Sequence, residues 1–290
     1  MMGQPALETA SQRSRAWGKV FKRTVLPHLP LILIGLLFLT PFVWLVITSL
    51  ETNQEIFSPH PTVIPSKVIW SNYPRAIENF PFFRYTYNTL YICFFSIVGS
   101  LFSCPLVAYS FARMRYRGRN ILFYIMLATM ILPSQVTMVP VYIMWNRLGF
   151  VNTYWPLVIP HFFGNAMYIF LLRQFFMSIP FELTEAAKID GASDFRIFSQ
   201  IIIPLAKPVI YTVALFQFLG CWSDFMGPLI YLNDPSKWTL SIGLQSFIGD
   251  HNVEWGLLMA ASTLFTLPII VIYFFVQRKF IQGITLTGLK

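Results

Sequence analysis

Charge is scarce in this chain. Of its 290 residues only 11% are Asp, Glu, Lys or Arg, while 56% are hydrophobic; an average soluble domain is about 25% charged. A water-solvated globule is thereby excluded. Cysteine is equally sparse. Cys93, Cys104 and Cys221 lie inside apolar runs at no metal-ligand spacing, and an odd set of scattered thiols makes no disulfide framework. The four histidines, His28, His60, His161 and His251, stand on separate segments, so no metal site is expected. The sequence also lacks a G-x-x-x-x-G-K-[ST] phosphate loop, an H-E-x-x-H pair and a G-x-S-x-G elbow. Neither catalysis nor a cofactor held by this chain is expected.

What remains is apolar and long. Six runs stand out, roughly Leu26–Leu50, Tyr85–Ala112, Ile121–Trp145, Trp155–Met177, Val209–Leu232 and Leu257–Val276. Each has about 20 residues or more, enough at 1.5 Å per residue to cross a hydrocarbon core of about 30 Å. The fold class expected is an all-α membrane protein with six transmembrane helices. The first run is too long for a secretory signal and has no small-residue cleavage site after it, so it reads as an uncleaved span.

The basic residues set the orientation. Arg13, Arg15, Lys19, Lys22 and Arg23 precede span one, and Arg113, Arg115, Arg117 and Arg119 follow span two. Arg173, Lys188, Arg196 and Lys207 flank the loop between spans four and five, and Arg278, Lys279 and Lys290 close the chain. Only Lys67, Arg75, Arg84, Arg147 and Lys237 fall on the other side. By the positive-inside rule both termini are cytoplasmic. The net charge of +9 therefore belongs to a membrane and its lipid, and no nucleic-acid partner is implied. Trp70, Trp145, Trp155, Trp238 and Trp255 gather at the outer side, where amphipathic rings favour the interface.

This gives one membrane domain at 26–282, a cytoplasmic N-terminal segment at 1–25 and a glycine- and threonine-rich tail at 283–290. The outer segment Glu51–Arg84, with Pro59, Pro61, Pro65 and Pro81, reads as an irregular cap with little helix. Pro41, Pro105, Pro133, Pro140, Pro160 and Pro268 read as kinks within spans.

One cytoplasmic loop, 178–208, breaks the apolar pattern. Pro180 suits a first helical turn, Glu182 and Glu185 lie at the positive end of its dipole, and Gly191 fits a left-handed helix end. A helix over Phe181–Asp190 is expected, with Leu183, Ala186 and Ala187 on one face. Ten residues make a marginal helix in water, so it needs a partner. Ser193 or Asp194 then caps a second helix leading through Phe195, Phe198, Ile201 and Ile202 to Pro204 and Pro208. Force on such a bracket would move the two spans it joins.

Glu185-Ala186-Ala187, three residues, Gly191, nine residues and Ile201-Ile202-Ile203-Pro204 resemble the EAA loop, E-A-A-x3-G-x9-I-x-L-P, of permease subunits of ATP-binding-cassette importers. Ile203 stands where the pattern has Leu. Five such matches arise by chance on the order of once per million starting positions. "EAAKIDGAS" is similar to the carbohydrate-uptake branch, and "FARMRYRGRN", "WSDFMGPL" and "GITLTG" extend the likeness over nearly the whole chain after residue 25. The resemblance implies a non-catalytic subunit of the bacterial inner membrane. Its loop is then a coupling helix between spans four and five that docks in a cleft on a cytoplasmic ATPase, one of two such subunits that hold the ATP and Mg. A second, related permease chain and an extracytoplasmic sugar-binding protein complete the assembly. Glu185, Ala186, Ala187, Asp190 and Gly191 are then the ATPase-coupling residues; outside that pattern Glu185 and Gly191 read as an ordinary helix start and stop.

For the substrate path, span five offers Gln217, Trp222, Ser223 and Asp224, with Gly227-Pro228 expected to break the helix, and span four offers Asn165. A carboxylate within a membrane usually faces a cavity or a partner charge, but Asp224 fits equally a bond to backbone freed at the break. Gln135 and His161 either face the same cavity or bond between helices. The sugar contact belongs to this chain or to the second permease alone. A polyol-phosphate also fits as substrate. An ion-driven carrier, the rival class, is expected to show inverted repeats and paired intramembrane charges, and neither is visible.

Overall fold

The fold was taken from a computed structural model, which describes residues 28–59, 64–248 and 253–287, with side chains to residue 277. The N-terminal segment 1–25, His60, His251 and the last residues 288–290 lie outside the described residues. Every described element is helical. In chain order they are α1 (His28–Thr48), α2 (Asn53–Ile56), α3 (Asn72–Glu78), α4 (Phe82–Arg113), α5 (Arg119–Thr129), α6 (Ser134–Arg147), α7 (Trp155–Val158), α8 (Ala166–Ser178), α9 (Glu182–Ile189), α10 (Asp194–Ile197), α11 (Ile203–Leu205), α12 (Lys207–Trp222), α13 (Met226–Tyr231), α14 (Leu240–Gln245) and α15 (Trp255–Thr287).

Four stretches are long and apolar enough to cross a membrane: His28–Thr48, Phe82–Arg113, Trp155–Ser178 and Trp255–Gln277. Two bent pairs pass the same test jointly, α5 with α6 at 95° and Asp194–Leu205 with α12 at 78°, giving up to six spans if each pair counts as one. The third apolar run is therefore not one straight helix. Met130 ends α5 and Pro133 precedes α6, because proline has no N–H to continue the ladder and disfavours helix in the residue before it.

Pro41, Pro105, Pro140 and Pro268 do lie inside helices. The fifth run departs further from expectation. Helix α12 stops at Trp222, and the break spans Ser223–Phe225. Gly227 and Pro228 fall in the first turn of α13, where a missing N–H removes no helical bond. At the far end α15 runs through Thr287, so the glycine- and threonine-rich tail is helical over 283–287. Among the described residues the cap 51–84 carries the short α2 and α3 and, from Phe82, the start of α4.

The centre is α4, which packs against α8, α12 and the 3-10 turn Ile159–Phe163. Its approach to that turn is close: a Cβ on Gly99 would lie 2.6 Å from the Phe162 ring. Ala108, Phe111, Leu172, Phe176, Ile197, Ile202, Ala206 and Val213 form one buried cluster that joins α4, α8, α12 and the loop between the last two. A second cluster, with Phe80, Tyr85, Phe218, Trp222, Leu240 and Ala261, ties α15 and α14 to the other end. By contrast α1 meets chiefly α15 and leaves Phe38 78% exposed. An apolar helix left bare on most sides needs lipid or another chain as solvent.

Candidate functional site

The loop between α8 and α12 forms by local rules. Glu182 and Glu185 occupy the first turn of α9 and Lys188 its last, each placed where the helix dipole favours it. Gly191 then takes φ +77°. Its N–H donates to the Lys188 carbonyl at 3.0 Å and the Ala192 N–H reaches back to Ala187 at 2.9 Å, the double bond of a Schellman termination. The expected Phe181–Asp190 helix thus has Phe181 and Asp190 as its two caps. Ser193 caps α10, its hydroxyl accepting the Arg196 N–H, and Asp194 pairs with Lys188 at 3.1 Å.

Two faces of α9 differ. Thr184 is buried and Ala187 half-buried against the cluster that holds Ile197 and Ile202. Of the expected face, Ala187 therefore looks inward, while Leu183 and Ala186 are exposed beside Glu182, Glu185 and Asp190. Ile189 is 87% exposed and Phe195 71%. Sequence reasoning missed Ile189 and Phe195 as surface groups, since apolar periodicity would have turned them inward.

Arg113, the last residue of α4, anchors this loop from below. It is buried, and its Nη2 donates to the carbonyls of Phe176, at 2.6 Å, and Ile179. Those carbonyls belong to the unsatisfied end of α8. The guanidinium also lies 5.5 Å from the Phe181 ring centroid.

The second feature is a cavity of ≈ 410 Å³ between α4, α7, α8, α12 and α13. Gln217, Asp224 and Asn165 line it, together with His161, Tyr168 and Tyr231. Trp222 does not. It is 1% exposed, stacks on Phe218 and donates from Nε1 to the Phe265 carbonyl at 3.0 Å, so it belongs to the core against α15. Ser223 lies exposed in the break outside the lining. Gln135, on α6, is exposed and also outside it.

Within the cavity Gln217 is held on several sides. Its Oε1 accepts the Ser100 hydroxyl at 3.1 Å, and its amide nitrogen lies 3.2 Å from His161 Nδ1 and 2.9 Å from Cys221 Sγ. The Asn165 Oδ1 caps α8, accepting N–H bonds from Met167 and Tyr168. Asp224 Oδ1 accepts the Gly227 N–H at 3.0 Å. The two readings of Asp224 are thus combined: it bonds freed backbone and it faces the cavity. No linear signal marked Tyr168 or Tyr231, because only the folding of α8 and α13 brings both into the lining of one cavity.

Residues 104–286 match the family described as binding-protein-dependent transport system inner membrane component. The chain is 34% identical over 265 residues to a probable ABC transporter permease protein of Pyrococcus horikoshii, covering 90% of this chain and 96% of that one. It is 30% identical over 261 residues to the arabinooligosaccharides transport system permease protein AraQ of Bacillus subtilis, covering 89% and 92%. A crystal structure of a bacterial ABC transporter involved in the import of the acidic polysaccharide alginate superposes with a TM-score of 0.75 at 26% identity, covering 90% of this chain and 97% of that one. The matched region contains the polar loop and most of the cavity lining, and with it the chain belongs to the family of binding-protein-dependent transport system inner membrane components.

Proposed function

We propose that this chain is one of two related permeases in an ATP-driven importer of sugars or oligosaccharides in a bacterial inner membrane. Its termini face the cytoplasm, and it makes six crossings when each bent pair counts as one. Helix α9 is the coupling helix, presenting Glu182, Glu185, Ala186 and Asp190 with the exposed Ile189 and Phe195 to a cytoplasmic ATPase. ATP and Mg stay with two such ATPases, and this chain performs no catalysis. An extracytoplasmic binding protein delivers the sugar.

The observation that carries this reading is the loop itself. It is a short helix with an outward mixed apolar and acidic face, whose inward Ala187 packs on the buried cluster shared by α4, α8 and α12. A structural scaffold has no use for that arrangement. The ion-driven alternative finds no support, since the two ion pairs among the described residues, Arg75–Glu254 and Lys188–Asp194, are both half-exposed.

The cavity bears on the substrate. Its lining holds Asp224 and neither Lys nor Arg. A polyol-phosphate or a uronate would meet like charge there, whereas a neutral sugar finds hydroxyl and amide partners and the rings of Tyr168 and Tyr231. Co-purification with an ATPase subunit, followed by sugar uptake in reconstituted vesicles, tests the whole. Asp224→Ala is expected to weaken uptake of a neutral oligosaccharide. Unchanged affinity and rate would remove Asp224 from the path, and the absence of any bound ATPase would overturn the function.

A further inference from the structure

We propose that the turn between α4 and α5 is a binding site for the headgroup of an anionic phospholipid. The turn borders an open surface hollow of ≈ 460 Å³ lined by Arg115, Tyr116, Gly118, Arg119, Asn120 and Ile121. Two of these six side chains are guanidiniums and none is acidic. Among the described residues neither arginine pairs with a carboxylate, since the ion pairs lie elsewhere. Arg119 instead donates to the Met114 carbonyl and to Asn120 Oδ1, which fixes its position without cancelling its charge. Arg173 of α8 lies close enough to feel that charge and is itself held by the Phe123 ring at 4.1 Å and the Phe111 carbonyl. Three like charges are thus concentrated with no ion-pair partner among the described residues.

The backbone completes the cradle. Gly118 takes φ +81°, turning the chain sharply into α5, an 11-residue helix whose first turn lines the same hollow. First-turn N–H groups have no partner within a helix and favour an anion. The N-terminus alone would mean little; the unpaired guanidiniums around it give the ligand its sign.

The neighbouring surface separates a lipid from free phosphate. Beyond the hollow α5 carries Ile121, Leu122, Tyr124 and Ile125, each more than half exposed. A phosphate seated at the turn would have an apolar helix flank running away from it, which suits an acyl chain and offers nothing to an inorganic ion. Basic pockets beside membrane helices on the cytoplasmic side take anionic headgroups in this way.

The test uses the purified assembled transporter and native mass spectrometry. A phosphatidylglycerol and a phosphatidylcholine with the same acyl chains are titrated in parallel, with inorganic phosphate as a separate competitor. Two arginines predict a preference of about 30-fold for phosphatidylglycerol in the wild type. In Arg115→Gln the preference is expected to fall about fivefold. Arg117→Gln, which removes a charge from the same turn but lies outside the lining, is expected to retain it. Arg115→Lys keeps the charge and serves where the glutamine variant does not assemble; it too is expected to keep the preference. Equal retention of both lipids overturns the proposal, as does an equal loss in Arg115→Gln and Arg117→Gln, which would mean a diffuse basic surface. Full displacement by inorganic phosphate at matched concentration would assign the hollow to a free anion and likewise overturn it.

Discussion

Replacing Arg113 by methionine removes the strut between α4 and the loop that joins α8 to α12 while keeping an apolar stem of similar length. The native guanidinium donates two hydrogen bonds, to Phe176 and Ile179, and faces the Phe181 ring. Hydrogen bonds from a charged donor contribute about 1.5–3 kcal/mol each, and a desolvated cation–π contact on the order of 1–2 kcal/mol. Arg113 is only 7% exposed, so solvent screening discounts little. Its buried Nε–H has no partner among the described residues, which offsets part of the gain. A net loss of roughly 4 kcal/mol is expected for Arg113→Met, because the Ile179 carbonyl is left buried and unpaired and the Phe176 carbonyl keeps only the 3.4 Å bond from the Ile179 N–H. Arg113→Lys, with a point charge and no planar fork, is expected to lose about half as much.

Equilibrium unfolding of the chain in mixed micelles reads the stability, and transported sugar per ATP hydrolysed reads the coupling. A double-mutant cycle with Phe181→Leu isolates the ring contact, expected near 1 kcal/mol. If Arg113→Met stays within about 1 kcal/mol of the wild type, with unchanged coupling, the strut is not carrying load and the reasoning fails.

Gly191→Val is expected to cost about 1–3 kcal/mol through positive φ alone, since no atom lies within 4 Å of the added Cβ; Gly191→Asn should be milder, and equal coupled ATPase activity in both would contradict the cap. Trp222→Phe keeps the stack on Phe218 but loses the bond to Phe265, lowering stability by about 0.5–1.5 kcal/mol with substrate affinity unchanged in uptake assays; altered affinity would return Trp222 to the sugar path. Glu51, 5% exposed, has its carboxyl raised from the ordinary 4.5 by burial and then by the nearby Glu55 charge. The fold is therefore favoured below 4.5 and loses that advantage as pH rises through the raised value. Glu51→Gln should remove this slope and raise the unfolding midpoint at pH 7; parallel pH profiles for the two proteins would refute it.

Legibility differed between the two features for a physical reason. The loop was readable because its determinants are local: acids at a helix start, a glycine at its end and a serine cap all act within a few residues. The faces of α9 were less readable, since Ala187 turns inward only because Ile197 and Ile202 pack there. In the cavity the sequence marked Gln217, Asp224 and Asn165 by their polarity in apolar surroundings. It placed Trp222 with them by proximity along the chain. The side-chain direction follows instead from α15, whose Phe265 carbonyl takes the indole N–H. The breaks were half legible: Pro133 stops a helix by itself, whereas the break after Trp222 is stabilised by Asp224 bonding across it to Gly227.

Loop and cavity are two ends of the same rods. Helix α8 leaves the cavity at its Asn165 cap and reaches the loop at Ser178 after 13 residues, about 20 Å at 1.5 Å per residue. Helix α12 returns from Lys207 to Gln217, and Asp224 follows just past its end. The cluster of Phe176, Ile197, Ile202 and Val213 clamps both rods to the loop, and close-packed side chains transmit displacement because they leave little free volume to absorb it. In the proposed mechanism a shift of α9 would reach both Asn165 and Gln217, which line one cavity. Their bonds respond unequally. The Asn165 side chain holds its own helix start and its N–H reaches Cys104 Sγ on α4 at 3.3 Å, whereas the Gln217 side chain bridges α12 to Ser100 on α4 and to His161 on the 3-10 turn. In the proposed importer the Gln217 side, with more side-chain bonds between helices, is the wall expected to resist that shift most.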